Sequence, residues 1–517
     1  MKKIIYPILA LAMLAVSSCG DSFYDFEPKG SLGASSFWKS EEDAIAAANA
    51  LYANQTHPGS YGQMYTRGYF WYICASDDMI VGRDKAQSID MKNFENNGSE
   101  SYTRDLWRVR YQNIRRANEI LANVPAMDIG QKVKDRVMGE AYFMSGVMYF
   151  ELAYRFGDEK MGVPIINVEN MDQPNVERPA SVVENYKDIE ERLKMAAQLL
   201  PKFSEYGPED YGRGHKHAAN AYLAKAYAFH AKYDASMWAE CAKAADKVIA
   251  EPTHDLMDEY TDVFKVKNNW SKEYLWSVVG YIDQPNSGSG LPIVMLENKG
   301  WGKYNGWGYF HPTLDLYEEY EAGDKRKKAT LMEFGDEFQY FGETRRYYST
   351  NSRTGLQFRK YMDPFEEPLN VNVGSFCTNL NMPLMRYAEV LLLKSEALIM
   401  QGQNGDAPLN QIRQRAGLQP ISGATMADLK HERRCELAGE WSDRHADLIR
   451  WGDAKDVYHK PLYGRRHADK TDPDSGYEVV EVWKARTNFD PATHHIWPIP
   501  PHEVEASGGV LKQNAGW

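Results

Sequence analysis

The chain has 517 residues, 43% of them hydrophobic and 26% charged, which permits a sizeable core and excludes wholesale disorder. A net charge of −12 argues against a nucleic-acid surface, because such surfaces bind by neutralising phosphates. At roughly 150 residues per domain, the length fits about three domains or one large unit built from repeats.

The first residues read as an address. Met1-Lys2-Lys3 is followed by an apolar run from Ile4 to Val16 and then by Ser17-Ser18-Cys19-Gly20. Two lysines, a short apolar stretch and small residues make a secretory signal peptide over residues 1–18, and the stretch falls short of the roughly 20 residues a bilayer span needs. Val16-Ser17-Ser18-Cys19 resembles a bacterial lipobox, which implies that Cys19 is lipidated and tethers the mature chain to a membrane. No later run is apolar enough to span, since Arg386 and Glu389 interrupt the best one, around 384–400. Cys74, Cys241, Cys377 and Cys435 lie far apart without a C-x-x-C pair, so buried thiols are expected rather than a zinc site.

In chain order, Ser40-Glu41-Glu42-Asp43 opens an alanine-rich helix to Tyr52. Helical spacing continues near 103–124 and 131–156. Ser181 and Glu184 have capping-box spacing ahead of Tyr186, Ile189, Leu193, Ala196 and Leu200, three and four residues apart. The runs 216–232 and 236–250 carry small residues opposite large ones, as a tetratricopeptide helix pair does. A strand pattern covers 274–279. Helices return at 383–401, near 407–410, and from Thr425 to about Gly439. Helix pairs of this kind cannot bury their faces alone and stack on neighbours. The two pairs stand roughly 130 residues apart in the chain. The expected fold class is therefore mainly α: a tetratricopeptide-like helical-repeat scaffold with few short strands and a large irregular, loop-rich insertion. The predicted division is 19–250, an insertion over 251–382, and 383–517.

The aromatic supply leans toward rings with a polar edge, 33 Tyr and 13 Trp against 19 Phe. Segment 300–310 sets Trp301, Tyr304, Trp307, Tyr309 and Phe310 among four glycines, a density that disfavours a helix. Such a loop either presents flat rings to sugar faces or tucks them into the scaffold as a plug. At least one exposed ring is expected. In segment 61–72, Tyr65, Tyr69 and Tyr72 fall at helical spacing and read as core, leaving Trp71 as the surface candidate. Asp77, Asp78 and Arg83 follow, suited to hydrogen-bonding vicinal hydroxyls or to pairing with each other. Trp107 reads as core.

Catalytic motifs are missing. Glu432 and Glu436 lie one helical turn apart, whereas a glycosidase holds its two carboxyls across a cleft. They read instead as partners for Arg433, Arg434 and Arg444. His431-Glu432-Arg433-Arg434-Cys435 lacks the final histidine of a zinc protease, and His215/His217 and His494/His495 have no third ligand within sequence reach. Neither a metal nor a cofactor is expected.

Larger stretches match a known family. These are Asp25-Phe26-Glu27-Pro28-Lys29-Gly30; Glu140-Ala141-Tyr142-Phe143 with Phe156-Gly157-Asp158; Arg386-Tyr387-Ala388-Glu389 with Glu396; Leu409 to Gly417; Glu432-Arg433-Arg434; Asp447-Leu448-Ile449-Arg450-Trp451-Gly452; and Gln513-Asn514-Ala515-Gly516-Trp517. In order and nearly end to end, the sequence resembles the SusD/RagB outer-membrane lipoproteins of Bacteroidetes. The resemblance implies a surface lipoprotein that captures oligosaccharides, breaks no bonds, and sits as a lid on a SusC-like TonB-dependent transporter. The rival expectation is a scaffold of that transporter complex that binds a non-glycan nutrient or no ligand of its own.

Overall fold

The computed structural model describes residues 37–53, 65, 67–283, 290–348, 351–472 and 474–517. Cys19, the signal segment and the first family-like stretch lie outside the described residues. The chain is mainly helical. Helix Glu41–Tyr52 starts at a reciprocal cap, in which the Ser40 hydroxyl accepts from Asp43 N–H and the Asp43 carboxylate accepts from Ser40 N–H. Helices Ser101–Asn123, Gln131–Phe156, Val182–Leu199, Lys216–His230 and Met237–Ile249 follow, each packed on the one before it. Glycines set the closest approach. A Cβ on Gly146 would meet the Leu193 side chain at 3.0 Å, tighter than side chains ordinarily pack, so glycine eases the close approach of the second and third of these helices.

The stack does not stop where the sequence breaks it. Helix Tyr387–Met400 packs directly on Met237–Ile249 and then on Asp406–Arg415 and Met426–Leu437. Pairs separated by some 130 residues of sequence thus cover each other's apolar faces. The last of these helices begins with a second reciprocal cap, Thr425 with Asp428. One expectation needs correction at the start of helix Tyr387–Met400. Residues Met382–Arg386 form a strand, antiparallel to Tyr274–Val278, and the helix begins only after Arg386. Edge-to-edge backbone pairing uses the groups an extra helical turn would need.

All six ladders among the described residues are two-stranded and antiparallel. One large hydrophobic cluster runs through the helices, and a smaller one gathers Ile293, Leu296, Trp301, Tyr304, Phe338, Tyr340, Tyr347 and Phe365 within the irregular stretch. Cys74, Cys241, Cys377 and Cys435 are buried free thiols. No described helix is long and apolar enough to cross a membrane.

Candidate functional site

The glycine-flanked aromatic segment divides between the two behaviours open to it. Gly300, Gly302 and Gly308 adopt positive φ, which bends the chain sharply enough to send successive rings in different directions. Trp301 turns inward and is 3% exposed, with Phe338, Tyr340 and Tyr347 at ring-centroid distances of 5.1, 5.4 and 6.0 Å. Tyr304 stacks on Phe365, and Tyr309 and Phe310 are buried. The expectation of a displayed ring is therefore corrected for Trp301, Tyr304 and Tyr309: rings from residues 338–365 enclose the first two, and Trp71 and Phe310 lie against the third. Trp307 is the half-buried ring of the segment.

Trp307 meets the edge of Phe376 at 5.3 Å and 61°. Phe376 is 39% exposed at the tip of the hairpin that joins Val371–Asn372 to Cys377–Thr378, and it is held there at positive φ. Val373 on the same tip is also exposed, as are Leu369 just before it and Tyr281, whose neighbour Ile282 accepts from the Asn372 amide at 3.0 Å. Phe376 and Trp307 are thus in contact, and the exposed Val373, Leu369 and Tyr281 lie on the same hairpin or on segments next to it.

A polar flank comes from elsewhere in the chain. Strand Met79–Val81 pairs with Phe310–Pro312, and Gly82 N–H donates to the Tyr309 carbonyl at 2.8 Å. A Cβ on Gly82 would lie 2.3 Å from the Gly308 oxygen, so glycine is required for this approach. The pairing carries Arg83 to the aromatic segment. Its guanidinium lies over the Tyr309 ring at 5.3 Å and donates to the Trp307 carbonyl at 3.4 Å. Asp84 bonds Arg353 at 2.6 Å beside it. Of the residues singled out in sequence, Arg83, Trp307 and Tyr309 thus come together.

Trp71, Asp77 and Asp78 do not join them at the surface. Trp71 is 1% exposed, packed against Phe310 at 4.6 Å and Tyr309 at 5.5 Å. It left the tyrosine stripe only to meet a strand on the helix's other side, which corrects its reading as a surface ring. Asp77 and Asp78 are buried salt-bridge partners of Arg434 and Arg444, at 2.7–3.3 Å, rather than partners for hydroxyls. Burial raises both carboxyls. At Asp77 the two guanidiniums outweigh it and hold the group below the usual carboxylate range, whereas Asp78 stays raised. Phe376 escaped sequence reasoning. The run Asn372-Val373-Gly374-Ser375-Phe376 is turn-like, and an aromatic placed in a turn was the available signal.

The comparisons with known proteins agree with this architecture. The sequence model of the SusD family matches residues 263–517, and that described as starch-binding associating with outer membrane matches residues 36–228. The chain belongs to the SusD/RagB family. A SusD-like protein of Bacteroides ovatus is 25% identical, over 86% of this chain and 82% of its own length. Among solved structures, a SusD-like protein of Bacteroides fragilis superposes with a TM-score of 0.80 at 24% identity, covering 95% of this chain and 100% of that one. A SusD-like carbohydrate-binding protein from the same species gives 0.76 at 25% identity, with 92% and 99% covered.

In this SusD/RagB chain the family-like charged motifs build the scaffold. Arg386 bonds Glu440 at 2.6 Å, Glu273 at 2.5 Å and Glu436 at 2.9 Å. Arg326 bonds Glu432 at 3.0 Å and Asp324 at 2.7 Å, Arg415 bonds Glu273 at 2.8 Å, and Arg413 bonds Glu432 at 2.6 Å. Arg433 reaches Glu389 and Asp447 instead of its helix neighbours. The expected pairing of Glu432 and Glu436 with Arg433, Arg434 and Arg444 is thus replaced by partners from other elements. Burial raises the Glu436 carboxyl, but Arg415, Arg386 and Arg326 outweigh it and bring it down to about 2. A buried carboxylate held ionised in this way is no general acid.

Proposed function

We propose that this protein is a cell-surface lipoprotein that captures oligosaccharides and hands them to a SusC-like TonB-dependent transporter without cleaving them. The observation that carries the reading is the half-buried Trp307 ring set edge-on to the exposed Phe376, with the Arg83 guanidinium fastened to the Trp307 carbonyl. Flat rings cover the apolar C–H face of a sugar while guanidinium and amide groups take its hydroxyls. Membership of the SusD/RagB family, a match over residues 36–228 to a model described as starch-binding, and a 25%-identical neighbour described as carbohydrate-binding support it. Each stacking contact is worth about 1 kcal/mol. Two or three such contacts supply only about 2–3 kcal/mol, short of the roughly 4 kcal/mol of millimolar binding, so hydrogen bonds to the hydroxyls must supply the rest and the hold stays weak enough for the cargo to move on.

Isothermal titration of the purified protein against a panel of oligosaccharides tests this. Binding of at least one glycan, weakened about fivefold by Trp307→Ala with the thermal midpoint held, is the expected result. Failure to bind any glycan, together with tight association with the transporter, would establish the rival reading of a ligand-free scaffold.

A further inference from the structure

His215 and His217 have no third ligand close to them in sequence. The fold supplies it. His215 caps the N-terminus of helix Lys216–His230, His217 stands in its first turn, and the turn after helix Met237–Ile249 brings in His254. One ring nitrogen from each lies within 4.8 Å of the others, and the three residues are 2%, 4% and 3% exposed. From these positions we propose a three-histidine site for a zinc-class divalent cation, one that ties the helical stack to the strand Tyr274–Val278.

Four observations carry the site. First, the His215 ring has a defined orientation. Nε2 meets the Leu275 carbonyl at 2.6 Å, so that nitrogen bears the proton, while the Nδ1 lone pair accepts the long 3.4 Å capping bond from Ala218 N–H, which an ion would displace. An imidazole that donates one N–H to a backbone carbonyl and offers its other nitrogen is the usual posture of a metal ligand. Second, His217 repeats it: Nε2 faces the Glu251 carboxylate at 3.3 Å, and Nδ1 is buried without a partner. Third, both nitrogens of the buried His254 lack a well-formed hydrogen bond, although a Lys272 backbone group lies close to the ring. Buried polar atoms of this kind call for a partner, and three imidazole nitrogens within 4.8 Å of one another suit zinc better than a hard cation.

The fourth observation is the charge around the cluster. Lys202 and Lys216 are the neighbouring cations, and Glu251, bonded to Lys202 at 2.9 Å, offsets them. The His215 and His254 rings lie parallel at 5.5 Å, with Phe203 beside both. Tetrahedral bonds of about 2.0–2.1 Å, with water in the fourth position, require the nitrogens to close from within 4.8 Å to roughly 3.3 Å of one another. The ion would then link the start of one helix, the turn after the next, and, through the Leu275 carbonyl, a strand of the irregular part.

The test uses the purified full chain, stripped with chelator and titrated with Zn2+ and separately with Co2+. The expected result is one ion per chain, a raised thermal midpoint, and the intense visible bands of tetrahedral Co2+. His217→Gln and His254→Gln should each weaken binding about 100-fold, while His494→Gln leaves it unchanged. Should either ligand variant fail to fold, the unmodified chain still decides. Absence of tetrahedral Co2+ bands and of a midpoint shift would overturn the proposal. So would affinity unchanged in both ligand variants, since the ion would then sit elsewhere.

Discussion

Trp301 and Trp307 stand six residues apart in one glycine-rich segment, yet they have opposite surroundings. Trp301 lies among Phe338, Tyr340 and Tyr347, so Trp301→Ala should cost about 3–5 kcal/mol, seen as a lowered denaturation midpoint. Trp307→Ala should move the midpoint little and act on glycan affinity instead. If the two variants exchanged these effects, the surface assigned to Trp307 would be wrong. Glu297, buried beneath the same segment and bonded to the Tyr347 hydroxyl, is raised by burial from its ordinary 4.5 to about 7. A raised carboxyl favours the folded state below 4.5, and that contribution is lost as pH rises through 7. Its size is on the order of 3 kcal/mol. Midpoints measured from pH 4.5 to 8 should therefore fall less steeply in Glu297→Gln than in the unmodified protein.

Helix Met426–Leu437 shows how an element can be legible while its role is not. Its start is written in Thr425 and Asp428, and its length follows from local pattern. Its acidic side chains, however, are matched by Arg326, Arg386, Arg413 and Arg415 from other parts of the chain. Removing one member leaves a buried charge without its partner. Glu436→Gln should therefore destabilise by about 3–5 kcal/mol. The pH dependence has the sign opposite to that of Glu297. Glu436 is depressed from 4.5 to about 2, so its contribution is present above 4.5 and lost as pH falls toward 2. Acid unfolding followed by circular dichroism should accordingly show a weaker dependence between pH 4.5 and 2 in the variant. The aromatic segment is the contrasting element. Its glycines announced a non-helical loop, but plug and platform remained equally open because the enclosing rings lie 30 or more residues further along.

For the molecule as a whole, helices from both ends of the chain form one continuous stack, closed by direct packing of Met237–Ile249 on Tyr387–Met400. The irregular stretch is anchored to it by the Tyr274–Val278 ladder and by ion pairs through Glu273 and Arg326. Under the proposed function attachment to the membrane runs through Cys19, and Cys19→Ala should release the protein into the soluble fraction. Retention of the variant in the membrane fraction would remove lipidation as the tether. Most of the long helices, the caps at Ser40, Ser181 and Thr425, the mainly helical class and the family resemblance were readable from the amino-acid order, because periodicity and capping act over three or four residues and motifs survive in their order. Which ring faces solvent, which arginine answers which glutamate, and that His254 completes a histidine triad were settled only by tertiary packing. Burial and charge pairing depend on neighbours brought from tens to hundreds of residues away, and no local pattern encodes that meeting.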